Sequence, residues 1–184
     1  MGVTTTQTNK PLNPRGNDQS PLAYNRAKLF SGKALDFDGV NDNVDLAGFT
    51  MSGINASFVF NLKADSWGAL DYIFDLSPNR LVFGANSGND ISIYDSSVWL
   101  KFADFSDTTN TNNFVLTIEG TTAKLYLNGQ LFGNTLTLST NIDLSATTEF
   151  ALMSARNFTG NFFDGQIAGF KIFNTALTAA QVAD

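Results

Sequence analysis

Carboxylate pairs are the side chains of this sequence that come nearest to catalytic chemistry, since glycoside hydrolysis needs two of them flanking the scissile bond. Glu119, in a hairpin turn, and Glu149, at the start of a strand, are the only glutamates. Asp71 and Asp75 are four residues apart, a spacing that puts two side chains on one face of a strand. Histidine and cysteine are absent, which excludes histidine-based and thiolate nucleophiles. We therefore predict that the protein is not an enzyme, and a glycosidase remains the third-ranked hypothesis.

Two oxygen-rich loops could hold calcium, a hard cation that takes carboxylate and amide oxygens as ligands. The candidate ligands are Asp38, Asn41 and Asp42 in one loop and Asn89 and Asp90 in another. The alternative is structural, because Asp and Asn are common in turns where their side chains hydrogen-bond the local backbone. We favour the structural interpretation and predict no cofactor, with calcium as the one candidate ion.

Three large aromatic residues could form stacking platforms for sugar rings: Trp67, Tyr94 and Trp99. Trp67 lies in a polar loop context that suits an exposed ring, whereas Trp99 lies in an apolar strand and could face either way. In a chain with 17 phenylalanines, packing in the core is the default interpretation for both tryptophans. Glycan binding through the three rings is therefore an alternative to the leading hypothesis of function.

The first 33 residues differ in charge from the rest of the chain. Residues 1–33 contain five basic residues and one acidic residue, whereas residues 34–184 contain six basic and sixteen acidic residues. Prolines interrupt this polar N-terminal stretch, so it cannot build a core of its own. We predict an extended arm, residues 1–33, that docks on other protein subunits, and a disordered tail is the alternative. The basic residues assigned to docking are Lys10, Arg15, Arg26 and Lys28. The net charge of −6 argues against nucleic acid as a partner.

Short β-strands are predicted from residue 34 to residue 173. Residues 114–119 alternate with the period of two that is typical of a strand with one buried face. Asn128-Gly129 is a strong hairpin signal, because both residues tolerate the positive φ of a type I′ turn. Many short strands bounded by Gly, Asn, Asp and Ser clusters, with no helical period between them, predict a two-sheet β-sandwich.

Three segments together resemble the laminin-G-like, concanavalin-A-like jelly-roll family: residues 34–44 (ALDFDGVNDNV), 124–130 (KLYLNGQ) and 163–177 (FDGQIAGFKIFNTAL). The resemblance covers residues 34–182 and implies an all-β fold, a two-sheet antiparallel jelly-roll sandwich formed by residues 34–184. It does not imply one activity, because the fold is used by lectins, adhesion modules, glycosidases and viral surface proteins. The N-terminal arm is not part of the family pattern.

The leading hypothesis of function is a non-enzymatic structural or attachment protein of a larger assembly, anchored through the arm. A virus or phage particle surface, as a capsid decoration or tail component, is the assembly that we favour. The N-terminus lacks the apolar core of a signal peptide, and no apolar run reaches the roughly 18 residues of a membrane span. We therefore expect synthesis in the cytoplasm and a place on a virion surface or another extracellular assembly. A carbohydrate-binding, lectin-like module is the alternative, with glycans as partners.

Overall fold

Strands with apolar residues at every second position, together with strands that are buried on both faces, form two antiparallel sheets. The computed structural model describes residues 34–46, 49, 51, 53–77 and 80–183. The predicted arm with its docking residues lies outside this part of the chain: Lys10, Arg15, Arg26 and Lys28. Its docking role therefore stays a prediction.

The strands of the described residues are β1 (Leu35–Asp38), β2 (Val44–Asp45), β3 (Asn55–Ala64), β4 (Tyr72–Ser77), β5 (Leu81–Gly84), β6 (Asp90–Asp95), β7 (Trp99–Asp104), β8 (Asn112–Glu119), β9 (Thr122–Leu127), β10 (Gln130–Leu131), β11 (Leu136–Thr137), β12 (Glu149–Leu152) and β13 (Asp164–Phe173). A 3₁₀ turn covers Leu144–Ala146, and a short helix, α1, covers Ala179–Ala183. Within the described ranges, no helix has the length and apolar character needed to cross a membrane.

The two sheets have different strand orders. The seven-stranded sheet has the order β10-β9-β8-β3-β13-β1, with β11 also paired to β9. The six-stranded sheet has the order β2-β12-β4-β5-β6-β7. Because β1 pairs with β13, the first and last of these strands are neighbours in one sheet. The prediction of an all-β, two-sheet antiparallel jelly-roll sandwich is confirmed.

Phenylalanines from both sheets form the centre of the core. Phe58 of β3 and Phe74 of β4 are both 0% exposed, and their rings stack with centroids 4.6 Å apart. Phe74 in turn stacks on Phe83 of β5 at 5.6 Å. Full burial of one phenylalanine side chain contributes about 1.5–3 kcal/mol to folding. Contacts between phenylalanine rings of the two sheets therefore hold the sheets together.

The predicted turn of the central hairpin is confirmed, and the C-terminus begins its helix with a capping box. Asn128 and Gly129 have φ values of 51° and 83°, as a type I′ turn requires. Thr178 and Gln181 form the capping box at the start of α1, where the Thr178 backbone N–H donates to the Gln181 Oε1 at 2.9 Å. The segment before α1 is attached to β3 by Ser57, which positions the C-terminus on the seven-stranded sheet.

Candidate functional site

The carboxylates considered for glycoside hydrolysis differ in their positions and contacts, and two of them, Asp75 and Glu149, each lie 3.7 Å from the Arg156 guanidinium. Asp71 precedes β4, and its Oδ2 accepts a hydrogen bond from the Gly68 N–H at 2.7 Å. Burial raises the pKa of Asp71 above its usual value, against the lowering effect of that hydrogen bond. Asp75 is fully buried within β4, where its carboxylate contacts arginines. Glu119 ends β8 of the seven-stranded sheet, whereas Glu149 begins β12 of the six-stranded sheet.

The carboxylates of the candidate calcium loops bind the backbone of their own turns. The Asp38 Oδ1 accepts from the Val40 N–H at 2.9 Å, and the Asp42 Oδ2 accepts from the Asp38 N–H at 3.1 Å. The Asp90 Oδ1 likewise accepts from the Asn86 N–H at 2.7 Å. No group of three or more acidic side chains that could hold a metal ion occurs in the part of the chain that the structure describes.

Two further candidate ligands in these loops are amides. Asn41 donates its backbone N–H to the Asp38 Oδ1, and the Asn89 carbonyl accepts from the Phe105 N–H at 2.7 Å. Such contacts are those of turns in which Asp and Asn side chains or carbonyls fix the local backbone. They support the structural interpretation of both loops, and calcium binding has only the sequence pattern in its favour.

Trp67 lies in the core, which agrees with the default interpretation of the tryptophans, although its polar loop setting also suited an exposed ring. Its side chain is 8% exposed, and its Nε1–H donates to the Asp90 carbonyl at 3.0 Å. The ring packs edge-on against Phe105 and Phe163, with centroid distances of 5.4 and 6.2 Å. Because the ring packs against other aromatic rings and its N–H already has an acceptor, Trp67 offers no stacking surface to a ligand.

The two remaining aromatic candidates meet on the face of the six-stranded sheet that points away from the core. Ile93 of β6 is buried in the core, so Tyr94, the next residue, points to the opposite face, where it is half-buried. Tyr94 lies directly opposite Trp99 of β7, and their ring centroids are 5.4 Å apart. The Tyr72 ring lies 5.8 Å from that of Trp99. Tyr72, Tyr94 and Trp99 form an aromatic cluster on this side of the sheet, which we call the outer face.

A buried carboxylate beside the aromatic cluster holds two arginines. Asp75 is 0% exposed, and its two oxygens accept from the Arg80 Nε at 3.3 Å and the Arg80 Nη2 at 3.0 Å. Arg156 donates its backbone N–H to Asp75 at 3.2 Å and places Nη1 3.7 Å from Oδ1. The Arg80 guanidinium also lies over the Tyr94 ring, 5.5 Å from its centre. The charged and aromatic groups are therefore in contact as one site.

The protonation states at this site favour hydrogen-bond donors. Burial lowers the pKa of Arg80, but the hydrogen bond and negative charge of Asp75 outweigh it and raise that pKa above its usual value. Burial also raises the pKa of the Tyr72 phenol, although the nearby Arg80 charge opposes this shift. At neutral pH the guanidinium is therefore charged and can donate to a ligand, whereas the protonated phenol is buried and hydrogen-bonds Arg80.

The loop that carries Arg156 is held in an unusual backbone conformation. Met153, Phe158 and Asn161 have φ values of 63°, 56° and 59°, in the left-handed region that residues other than glycine rarely adopt. Hydrogen bonds close the loop on itself, from the Ala155 N–H to the Gly160 carbonyl at 2.9 Å and from Phe158 back to Ala155 at 2.8 Å. Strain of about 1–3 kcal/mol per such residue is typical of segments that hold a functional side chain in place.

Ser92 adds an unsatisfied polar group to the outer face. It lies two residues before Tyr94 in β6, so the two side chains share a face. Ser92 is 1% exposed, and its Oγ has no hydrogen-bond partner among the described residues. A buried hydroxyl without a partner is rare in native proteins. This oxygen leaves one unused donor and acceptor on the same side of the sheet as the aromatic cluster.

Sequence reasoning identified Asp75, Tyr94 and Trp99 but neither arginine. Arg80 lies five residues after Asp75, across the β4–β5 turn, and this short spacing was a signal that could have identified the ion pair. Arg156 lies 81 residues from Asp75 and approaches it only because β12 pairs with β4. No local pattern could have identified that contact.

Solved structures with the same fold include domains from carbohydrate-active proteins. Domain 4 of AbnA, a GH43 extracellular arabinanase from Geobacillus stearothermophilus in complex with arabinotriose, is 20% identical with a TM-score of 0.68, over 84% of this chain and 76% of that chain. The CBM40 of the Ruminococcus gnavus IT-sialidase, bound to α2,3-sialyllactose, is 13% identical with a TM-score of 0.65, over 82% and 95% of the two chains.

The NanB sialidase of Streptococcus pneumoniae is 18% identical with a TM-score of 0.65 over 84% of this chain. The match spans only 27% of the sialidase chain, so this protein corresponds to about a quarter of that enzyme. At these identities the similarity concerns the fold alone. A search by sequence among curated proteins found no match.

A family model covers most of the described sandwich. Residues 38–183 match the laminin-G-like model of the concanavalin A-like lectin/glucanases superfamily. The match includes the strands that build both sheets from the end of β1 to α1. It agrees with the three segments whose sequence resembles this family. The chain belongs to the laminin-G-like group of the concanavalin A-like lectin/glucanases superfamily.

Proposed function

We propose that residues 34–184 form a non-catalytic carbohydrate-binding module whose site is the outer face of the six-stranded sheet. One observation carries the proposal: the half-buried Tyr94 and Trp99 rings contact each other next to Arg80, which a buried carboxylate holds in place. The aromatic cluster is part of a small group of packed side chains separate from the main core, formed with Val82 and Ala155.

The chemistry of this face suits a sugar. A sugar ring presents C–H groups on its two faces and hydroxyl groups around its edge, so it needs an aromatic surface together with oriented polar groups. Ligand sites in proteins combine these two features, with few polar groups in fixed positions. Here Trp99 and Tyr94 supply the aromatic surface, and Arg80 and Arg156, whose side chains are 35% and 36% exposed, supply donors.

The similar structures support this proposal. The arabinanase domain is in complex with arabinotriose, and the CBM40 is bound to α2,3-sialyllactose. Both are matched over most of their own length, at 76% and 95%. A fold shared with sugar-bound domains favours sugar binding as the function. The identity of the sugar is determined by the binding experiment described below.

The positions of the carboxylates favour binding over hydrolysis. A glycosidase needs two carboxyl groups that both reach the scissile bond. Asp75 is fully buried and already paired with Arg80, and Glu149 lies 3.7 Å from the Arg156 Nε. A carboxylate with no exposed surface cannot reach a scissile bond, so Asp75 cannot form such a pair with Glu149.

Tryptophan fluorescence provides the test, because the chain has two tryptophans in different environments. The full chain is titrated with neutral and acidic oligosaccharides, and the Trp99→Phe and Trp67→Phe variants are titrated in parallel. We expect a glycan-induced change that Trp99→Phe abolishes and Trp67→Phe retains. A change that persists in Trp99→Phe and disappears in Trp67→Phe would contradict the proposed site. No response to any glycan, together with no heat of binding by calorimetry, would contradict the function.

Attachment to a larger assembly is a second candidate function, favoured by the charge difference between residues 1–33 and residues 34–184. A basic segment attached to an acidic domain can dock on an acidic neighbour while the domain binds elsewhere. A place on a virus or phage particle stays a prediction from the sequence. Limited proteolysis of the full chain tests the role of the segment. Rapid loss of residues 1–33 in the free protein, and protection in the presence of a partner, is the expected result; resistance in the free protein would contradict it.

A further inference from the structure

Both arginines of residues 34–184 lie at the same place in the fold. Residues 34–184 contain two arginines, Arg80 and Arg156, and both contact Asp75. We propose that the sugar bound by the outer face is acidic, and that its carboxylate is bound by Arg156 and Arg80. This inference rests on the proposed carbohydrate-binding function and names the chemical class of the ligand.

Arg156 has the donors that a carboxylate needs. Its guanidinium lies 3.7 Å from Asp75 and 3.7 Å from Glu149, distances of ion pairs that are too long for hydrogen bonds. Among the described residues, its guanidinium N–H groups have no hydrogen-bond acceptor. A guanidinium presents five N–H donors in a planar fork that matches the two oxygens of a carboxylate. Arg156 is therefore positioned by the fold while its donors remain available.

Arg80 supplies further donors from the other side of Asp75. Its Nε and Nη2 donate to the Asp75 oxygens, and its guanidinium also hydrogen-bonds the Tyr72 phenol. A guanidinium has five N–H donors, so part of them remains for a ligand. The contact with the Tyr94 ring orients the guanidinium plane beside the aromatic cluster. Because the Arg80 guanidinium covers a face of the Tyr94 ring, a sugar that stacks on the neighbouring Trp99 has an oriented cation nearby.

The charges around the arginines leave a place for an additional anion. Asp75 compensates one of the two positive charges of Arg80 and Arg156. Because Asp75 is fully buried, it cannot itself contact a ligand. Glu149 is 55% exposed and lies 3.7 Å from Arg156, which makes it a weak, hydrated partner. A ligand carboxylate that forms a bidentate pair with Arg156 would replace this weak contact with shorter hydrogen bonds. The arginine pair is therefore better suited to an acidic sugar than to a neutral one.

The spacing along the outer face allows one oligosaccharide to reach both parts of the site. Asp75 lies opposite Val82, Val82 opposite Tyr94, and Tyr94 opposite Trp99. With adjacent strands about 4.8 Å apart, Asp75 and Trp99 are about 14 Å apart along this row. A short oligosaccharide spans that distance, with its acidic unit at the arginines and a neighbouring unit on the rings.

The test compares ligands that differ only in their carboxylate, by calorimetry on the full chain. One pair is 3′-sialyllactose and the methyl ester of its sialic acid carboxylate, and the other is trigalacturonic acid and its methyl ester. We expect at least one acidic member to bind about tenfold or more tightly than its neutral partner, and its affinity to fall as NaCl is raised. The two pairs distinguish a sialic acid from a uronic acid. Equal affinity within both pairs would overturn the acidic-sugar inference and leave the proposed function intact, whereas no binding of any sugar would contradict the proposed function itself.

Substitution of Arg156 tests the residue directly. We expect Arg156→Gln to lower affinity for the acidic sugar about tenfold or more and to remove its salt dependence. The matched control, Lys171→Gln, removes the same charge from an exposed position on β13 of the other sheet and should change affinity less than twofold. If Arg156→Gln is unfolded by circular dichroism, Arg156→Lys retains the charge beside Asp75 without the fork. Unchanged acidic-sugar affinity in a folded Arg156 variant would overturn the inference.

Discussion

The two sheets differ in what covers the face that points away from the core. On the seven-stranded sheet, the C-terminal segment lies against β3, where the buried Ser57 hydroxyl donates to the Thr175 carbonyl at 2.9 Å and accepts from the Leu177 N–H at 2.8 Å. On the six-stranded sheet, half-buried aromatic rings and two arginines lie at the corresponding surface. One face is covered by neutral contacts of the C-terminal segment, whereas the other is covered only in part, by the loop that carries Ala155 and Arg156, and keeps groups that can bind a ligand.

The two faces also differ in how firmly their charged side chains are held in place. A cavity of about 240 Å³ lies between β8, β9 and the C-terminal segment, and its lining includes Lys124 and Glu119. Neither of these side chains forms an ion pair among the described residues, so both can adopt several rotamers. On the outer face, Asp75 removes that freedom from Arg80 and Arg156. A fixed cation loses less entropy on binding than a mobile one, which favours the outer face as the ligand site.

Removal of the carboxylate that holds the two arginines should have the largest effect on stability. Asp75→Asn leaves Arg80 and Arg156 beside a neutral amide in a position that is 0% exposed. Breaking one side of a buried ion pair costs about 3–5 kcal/mol, and we expect about 3 kcal/mol here because each arginine is partly hydrated. Urea denaturation followed by circular dichroism measures this loss.

A matched substitution of an exposed ion pair provides the control for Asp75. Asp65 contacts Lys63, and their side chains are 43% and 28% exposed. Asp65→Asn removes the same charge but should cost less than about 1 kcal/mol, since exposed pairs are hydrated and screened. If Asp75→Asn costs no more than Asp65→Asn, the carboxylate does not fix the arginines, and the contrast between the two faces is lost.

The neutral contact on the other sheet should have a smaller effect. Ser57→Ala removes the hydroxyl that donates to Thr175 and accepts from Leu177, so we expect a loss of about 1–2 kcal/mol and faster proteolysis after residue 173. Ser97→Ala is the control, because Ser97 is exposed and its hydroxyl has no hydrogen bond among the described residues. Equal stability and equal proteolysis of the two variants would show that Ser57 does not attach the C-terminal segment.

The fold could be predicted from local sequence, because its signals lie within a few residues of each other. The positive φ values of Asn128 and Gly129 follow from their types, as does the pairing of Thr178 with Gln181. The alternation of residues 114–119 determines which side chains of β8 enter the core. Each of these features is decided by neighbours along the chain.

The site could be predicted only in part, because long-range packing decides it. Trp67 and Trp99 are the same residue type, yet the first contacts Phe163, almost a hundred residues away, and is buried, whereas the second remains half-buried beside Tyr94. Local context favoured the opposite assignment for Trp67. Arg156 reaches Asp75 through sheet pairing, which composition and spacing do not encode.

The smallest effect is expected for Asp107, a carboxylate that is held by neutral donors only. The Asn112 side-chain amide donates to it at 3.0 Å and the Thr109 N–H donates at 3.0 Å. The hydrogen bond from Asn112 has the largest effect and that from Thr109 the next largest, and together they hold the pKa of Asp107 well below its usual value. A folded-state pKa below the unfolded value of about 3.9 contributes stability above that pH, and this contribution is lost as pH falls through the folded-state pKa.

Asp107→Asn should therefore lower the urea midpoint at pH 7 slightly, and the difference from the parent protein should shrink as pH falls below 4. Urea midpoints at pH 7, 4 and 2.5 measure this convergence. Asp36→Asn, at an exposed position of β1, removes the same charge and should show no such convergence. The same pH dependence in both variants would mean that net charge, and not the donors around Asp107, controls acid stability. Convergence confined to Asp107 would show that its neutral donors alone hold this carboxylate ionised, in contrast to Asp75, whose partners include two arginines.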